Sequence, residues 1–233
     1  MTTIARNLQD VRARIATACR MAGRDAGDDV TLLAVSKTFG ADAVRAAFEA
    51  GQSAFGENYI QEAVDKIAAL ADLRAELCWH CIGPIQSNKT RLVAEQFDWA
   101  HTVDRLKIAE RLSAQRPVAL APLQVCIQVN IDGGPTKSGV APAEALALAR
   151  AVAALPRLRL RGLMTIPEPA ADFDAACAVH AGAKVLFDQL NAAGLGLDTL
   201  SMGMSADLEA AVAAGSTLVR IGSAIFGARS PKA

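Results

Sequence analysis

Histidine and tyrosine are scarce in this 233-residue chain, which holds three of the first and one of the second. No two of the histidines stand at metal-ligand spacing. The five cysteines (Cys19, Cys78, Cys81, Cys126, Cys177) contain no second pair that could complete a thiolate site, so no metal is expected. Net charge is missing as well: 24 lysines and arginines balance 24 aspartates and glutamates, which leaves no electrostatic footprint for nucleic acid or an anionic membrane. Any anion must therefore be captured locally. Long apolar runs are absent, and the N-terminus lacks the apolar core of a signal peptide, so a soluble cytoplasmic protein is expected. An odd number of irregularly spaced cysteines suits small core residues in a reducing compartment. Cys78 and Cys81 form a C-x-x-C, but within a strand pattern, where residues three apart face opposite sides and cannot act as a redox pair.

The chain does contain a regular alternation. Ile4, Leu8, Val11, Ile15 and Cys19 mark one face of an opening helix. Strand patterns follow at Leu32–Val35, Ser53–Gly56, Leu77–Gly83, Trp99–Val103, Leu123–Val129, Arg159–Ile166, Thr199–Gly203 and Leu218–Gly222. Helical patterns separate them, among them Ala41–Ala50, Pro142–Leu155, Asp172–Ala193 and Ala206–Ala214. Eight βα units in this length predict a (β/α)8 TIM barrel with an extra N-terminal helix, a doubly wound open sheet being the alternative.

The first strand runs out at Lys37. Alternation turns this residue to the same side as Leu33 and Val35. From that stretch alone two readings stand: a lysine reaching to solvent, or a desolvated amine whose neutral form attacks an aldehyde. Active sites of such barrels lie at the C-terminal strand ends, which here also carry Glu57, Asn58, His80, His101, Asn130, Met164, Thr165, Ser201, Arg220, Gly222 and Ser223. The segments after the last two strands, Ser201–Ser205 and Arg220–Ser223, are rich in small and hydroxyl residues that lead into helices. This is the form of a phosphate site, although glycines and serines also serve as plain turns and caps. Arg220 lies in an apolar strand and needs an anion or acceptor. Residues 83–90 imitate a nucleotide-binding P-loop, but Asn88 replaces the second glycine and Pro84 removes an amide, so a polar turn is expected there.

Seven stretches in order along nearly the whole chain, LLAVSKT, FGENYIQE, WHCIGPIQSNK, VNI ahead of TKSG, GLMTI, LSMGMSADLEAA and VRIGSAIFG, resemble the pyridoxal-phosphate homeostasis protein family. The resemblance implies one domain over residues 1–233, a barrel of the alanine-racemase N-terminal kind (PLP fold type III). It also implies pyridoxal 5′-phosphate as cofactor, carried as an aldimine of Lys37. Ser201, Gly222 and Ser223 would hold the phosphate, Arg220 would approach the pyridine nitrogen, and Asn58, His80 and Met164 would line the pocket. A permanently charged arginine there keeps the ring nitrogen unprotonated and weakens the ring as an electron sink. The family departures are Cys81 where an aromatic is commoner, the loop Asp132-Gly133-Gly134-Pro135, and Ser223 where threonine is usual.

The implied role is a carrier in intracellular vitamin B6 homeostasis that indirectly affects amino-acid and keto-acid pools, with pyridoxal-phosphate-dependent apoenzymes as recipients and no robust turnover. The runner-up is an amino-acid racemase, which needs an acid/base group on each face of the cofactor. The single tyrosine, Tyr59, lies in an early loop, and the chain ends soon after the eighth strand, so the second base is expected to be missing. Without a long exposed apolar stripe, a monomer is expected.

Overall fold

The computed structural model describes residues 2–24, 30–134 and 137–227. Helix α1 (Thr3–Met21) is capped by Thr2, whose hydroxyl accepts from the Ala5 amide at 3.2 Å, and it buries Leu8, Val11, Ile15, Ala18 and Cys19. Strands and helices then alternate: β1 (Thr31–Val35), α2 (Ala41–Glu49), β2 (Ala54–Glu57), α3 (Ile60–Ala69), β3 (Cys78–Cys81), α4 (Thr90–Gln96), β4 (Trp99–Val103) and α5 (Leu106–Gln115). The second half continues with β5 (Leu123–Gln128), α6 (Ala145–Ala153), β6 (Leu158–Met164), α7 (Phe173–Ala192), β7 (Thr199–Ser201), α8 (Leu208–Ala213), β8 (Leu218–Ile221) and α9 (Ser223–Phe226). The strands pair in sequence order, all parallel, and β8 returns to β1 with Leu33 opposite Arg220. Closure decides for the barrel over the open sheet.

Parallel strands covered on both faces are largely apolar, and alternation sorts their side chains. Ala34, Phe55, Trp79, Ala100 and Ile127 point outward and join the large core between barrel and helices. Leu33, Val35, Ile82 and Leu218 form a separate small cluster within the barrel. Close packing there requires glycine. A Cβ on Gly56 would meet Ile82 at 3.0 Å and Leu33 at 3.1 Å, and one on Gly162 would lie 1.6 Å from the Thr199 carbonyl.

Several elements are shorter than their patterns suggest. After β1, the Phe39 amide donates to the Ser36 carbonyl at 3.1 Å, closing a turn in which Thr38 takes φ +70°. Strand β7 stops at Ser201 because Gly203 turns the chain at φ +93°. Pro142 opens a 3-10 turn (Pro142–Glu144) ahead of α6. The expected polar turn precedes α4, and the Gly83 carbonyl there accepts from the Thr102 hydroxyl at 2.7 Å. Cys78 and Cys81 lie on opposite faces of β3, and burial pushes both thiols up to about 12, so neither is a redox nucleophile. Pro135 and Thr136 of the fifth βα loop lie outside the described residues. Among the described residues, no helix is long and apolar enough to cross a membrane, and no three His, Cys, Asp or Glu side chains cluster as metal ligands.

Candidate functional site

A cleft of about 370 Å³ opens at the C-terminal end of the barrel, lined by Lys37, Asn58, Arg220, Gly222 and Ser223 with Val35, Phe39, Ile82, Ile166 and the loop Met204–Ala206. Its size falls in the roughly 300–1,000 Å³ range of small-molecule sites.

Lys37 is mounted on a buried polar frame beneath its own turn. Lys66 of α3 donates to the Ser36 carbonyl at 2.9 Å and to Glu57 Oε1 at 2.6 Å, and the Ser36 hydroxyl donates to the same carboxylate oxygen at 2.6 Å. Glu62 accepts from the Thr38 amide at 2.8 Å and lies 3.7 Å from Lys66. The peptide groups on either side of Lys37 are thus fixed by α3. Burial pushes the Glu57 carboxyl up, against the opposing pull of Lys66 and Ser36. Left-handed backbone is costly for a β-branched residue, so Thr38 keeps its conformation because these bonds over-determine it.

Arg220 lines the same cleft from β8, the strand paired with β1. It is 4% exposed and finds its acceptors in the protein itself, donating from Nη1 to the Ser201 carbonyl and hydroxyl, both at 2.8 Å, and from Nη2 to the Thr165 carbonyl at 2.8 Å. Burial pushes the guanidinium down to about 10, so it stays charged at neutral pH. Gly222 is needed for close packing: a Cβ there would come 3.1 Å from the Val35 carbonyl. Ser223 is exposed, and Phe39 stacks on Phe226 at 5.1 Å to close the rim.

Five of the eight expected residues meet at this cleft: Lys37, Asn58, Arg220, Gly222 and Ser223. The other three lie beneath it, buried. Ser201 is fully buried, its hydroxyl held between Arg220 and His101 at 3.0 Å, while His80 stacks on Trp99 at 5.1 Å and Met164 fills the interior. These three belong to a layer of side chains deeper in the barrel, because strands tilted around a barrel do not all end at one height. Tyr59 is 54% exposed and does not line the cleft. The Lys66 frame escaped the residue-by-residue reading, although its signal was present: Lys66 falls on the apolar face of α3 with Ala63 and Ile67.

This barrel, with a lysine just after its first strand and an arginine inside its last, belongs to the alanine racemase N-terminal domain family, whose model matches residues 6–230. Within that family the chain belongs to the pyridoxal phosphate homeostasis proteins. It is 61% identical over 229 residues to the protein of that name from Pseudomonas aeruginosa, with 98% of this chain and 97% of the relative covered. Against the one from Escherichia coli K12 it is 56% identical over 230 residues, with 98% of each covered. The solved structure of PipY from Synechococcus elongatus with PLP bound superposes with a TM-score of 0.82 at 37% identity, covering 96% of this chain and all of that one. Alanine racemase from Corynebacterium glutamicum shares only the fold, at 20% identity and a TM-score of 0.66, with 99% of this chain and 62% of that one covered.

Proposed function

We propose that this chain binds pyridoxal 5′-phosphate covalently on Lys37 and serves as a cytoplasmic carrier in vitamin B6 homeostasis, delivering it to apoenzymes that require it. The observation that carries this reading is the presence of Lys37 and Arg220 in one cleft, beside a buried Asn58 Oδ1 that has no hydrogen-bond partner among the described residues. An unpaired buried acceptor on a cleft wall calls for a donor from a bound molecule, and a ring hydroxyl supplies one. The group fits the residues present. Once bound, the cofactor supplies an aldehyde that condenses reversibly with an amine.

Lys37 is the nucleophile, presented by a turn that Lys66 and Glu62 hold rigid. Arg220 offers a fixed positive charge to the ring nitrogen and disfavours its protonation. The backbone at Gly222, with Ser223 and the neighbouring Ser205, receives the phosphate at the exposed rim. Ser201 is not among these donors, its hydroxyl being engaged with Arg220 and His101. Among the described lining residues the ionisable ones are Lys37 and Arg220. Two-base racemisation asks for a second proton donor and acceptor, so this lining favours a carrier over a racemase. The chain acts as a single unit and as a monomer in this reading.

Titration with pyridoxal phosphate followed by borohydride reduction tests it. A visible absorption band that bleaches, with the label on the Lys37 peptide and none in Lys37→Ala, is the expected result. A label spread over several lysines, or no band, overturns it. Incorporation of solvent deuterium at Cα of an amino acid over many turnovers would instead establish the racemase.

A further inference from the structure

We propose that Ser201, His101 and His80 are positioning residues for Arg220, hydrogen-bonded in series through the barrel interior as a donor chain of one polarity that begins at the guanidinium. The links are Arg220 Nη1 to Ser201 Oγ at 2.8 Å, Ser201 Oγ to His101 Nδ1 at 3.0 Å, and His101 Nε2 to His80 Nδ1 at 2.9 Å. Cys78 Sγ follows, 3.3 Å from His80 Nε2, on a residue lining a cleft at the opposite end of the barrel.

The polarity follows from the donor inventory. A guanidinium only donates, so Ser201 Oγ accepts at that link. Its own O–H must then go to His101 Nδ1, since no other acceptor bonds it among the described residues and the side chain is fully buried. A neutral His101 that accepts at Nδ1 carries its proton on Nε2 and donates to His80 Nδ1. His80 in turn carries its proton on Nε2, toward the Cys78 sulfur. The opposite direction would leave the Ser201 hydroxyl hydrogen without a partner in the interior, which a buried donor does not tolerate without cost. A second proton on His80 would set N–H against N–H at 2.9 Å, and one on His101 would set an N–H against the Ser201 O–H at 3.0 Å. Both rings are accordingly neutral, as their burial also dictates.

This polarity has a consequence at the cleft. Arg220 cannot give up its proton, so the chain does not conduct protons. It serves as a mount that fixes one edge of the guanidinium, while the Thr165 carbonyl fixes Nη2. The orientation of the charge facing the cofactor is then set from below, by residues that do not line the cleft.

The inference rests on the reading that Arg220 faces the cofactor's ring, and two separate measurements keep the two apart. In the protein without cofactor, long-range 15N–1H correlation of the histidine rings should show His80 and His101 both protonated at Nε2 only from pH 6 to 8. A proton on Nδ1 of either ring overturns the chain, whatever the cofactor does. In the loaded protein, His101→Leu should shift the visible absorption maximum and weaken pyridoxal phosphate binding by about tenfold, the upper end of the scale of one lost neutral hydrogen bond. His101→Gln, which keeps a donor and an acceptor, should restore both. Ser201→Ala cuts the same chain with a smaller change of volume and serves should His101→Leu fail to fold. Unchanged spectra and affinity in a folded His101→Leu or Ser201→Ala would refute the positioning role. If the unsubstituted protein binds no pyridoxal phosphate, the cofactor reading fails while the ring correlations still judge the chain.

Discussion

The buried histidine pair makes folding stability depend on pH in a way that can be worked out for His80. Burial lowers its pKa from 6.5 to about 3 in the folded protein, and among the described residues the ring makes no carboxylate contact that would retain a proton. Above pH 6.5 the ring is neutral in both states, so it contributes no pH dependence. As pH falls through 6.5 the unfolded chain takes up a proton that the folded one refuses, and stability is lost until the folded pKa near 3 is reached. Between pH 7.5 and 5 this amounts to about 2 kcal/mol for His80 alone. For a protein of this size that is a drop of about 4–8 °C in Tm. His101 is shifted in the same direction, by burial first and then by His80 and Arg220, and steepens the profile further. Carboxylates also titrate in this range. The informative measurement is therefore the difference between the wild-type protein and His80→Asn in urea unfolding at pH 7.5 and 5, where shared groups cancel. The variant should lose about 2 kcal/mol less over that interval, and parallel profiles would show that His80 is not held neutral.

Lys66→Met leaves Glu57 buried without its cation and should cost about 3–5 kcal/mol in urea unfolding, most of it recovered in the Glu57→Gln/Lys66→Met pair. A loss below 1 kcal/mol in the single variant would show that water reaches the carboxylate. Gly162→Ala drives a Cβ into the Thr199 carbonyl across β6 and β7, so a cost of at least about 3 kcal/mol is expected by calorimetry; a near-neutral result would mean that these strands can part locally. Thr38→Gly removes a left-handed strain of about 1–2 kcal/mol while adding freedom to the unfolded chain, for a net gain of about 0.5–1 kcal/mol. Its borohydride-trapped yield on Lys37 should fall, and a destabilised protein with full trapping would refute the strain assignment.

The barrel was legible because each βα unit must bury an apolar strand on both faces, which writes apolar runs at regular intervals into the chain. Closure was not, since the same alternation serves an open sheet, and it is the pairing of β1 with β8, from Thr31 opposite Leu218 to Ala34 opposite Ile221, that joins the ends. Lys37, Asn58, Arg220, Gly222 and Ser223 were legible as strand-end residues of chemically distinct type. Ser201, His80 and Met164 satisfied the same rule yet sit a layer lower. Ser201 is in register with Leu218, two residues before Arg220 on β8, a stagger that no one-dimensional pattern displays. The Lys66 frame was legible in principle, because a lysine inside an apolar stripe has to find a buried acceptor, but the identity of that acceptor depends on how α3 packs over β1 and β2.

The two basic residues of the cleft are thus supported in the same manner by unrelated means. Lys37 stands on a turn held by Lys66, Glu57 and Glu62, and Arg220 stands on Ser201 and two neutral histidines. Buried polar networks are worth their desolvation only when their members are satisfied, and an apolar interior of the same shape would be at least as stable. Keeping them makes sense where the position of a charge matters more than the stability of the fold. The other lining residues, among them Val35, Phe39, Ile82, Ile166 and Met204, give shape without proton chemistry. Such a site suits the carrier role proposed for the chain, and the exposed rim at Ser223 leaves the way out open.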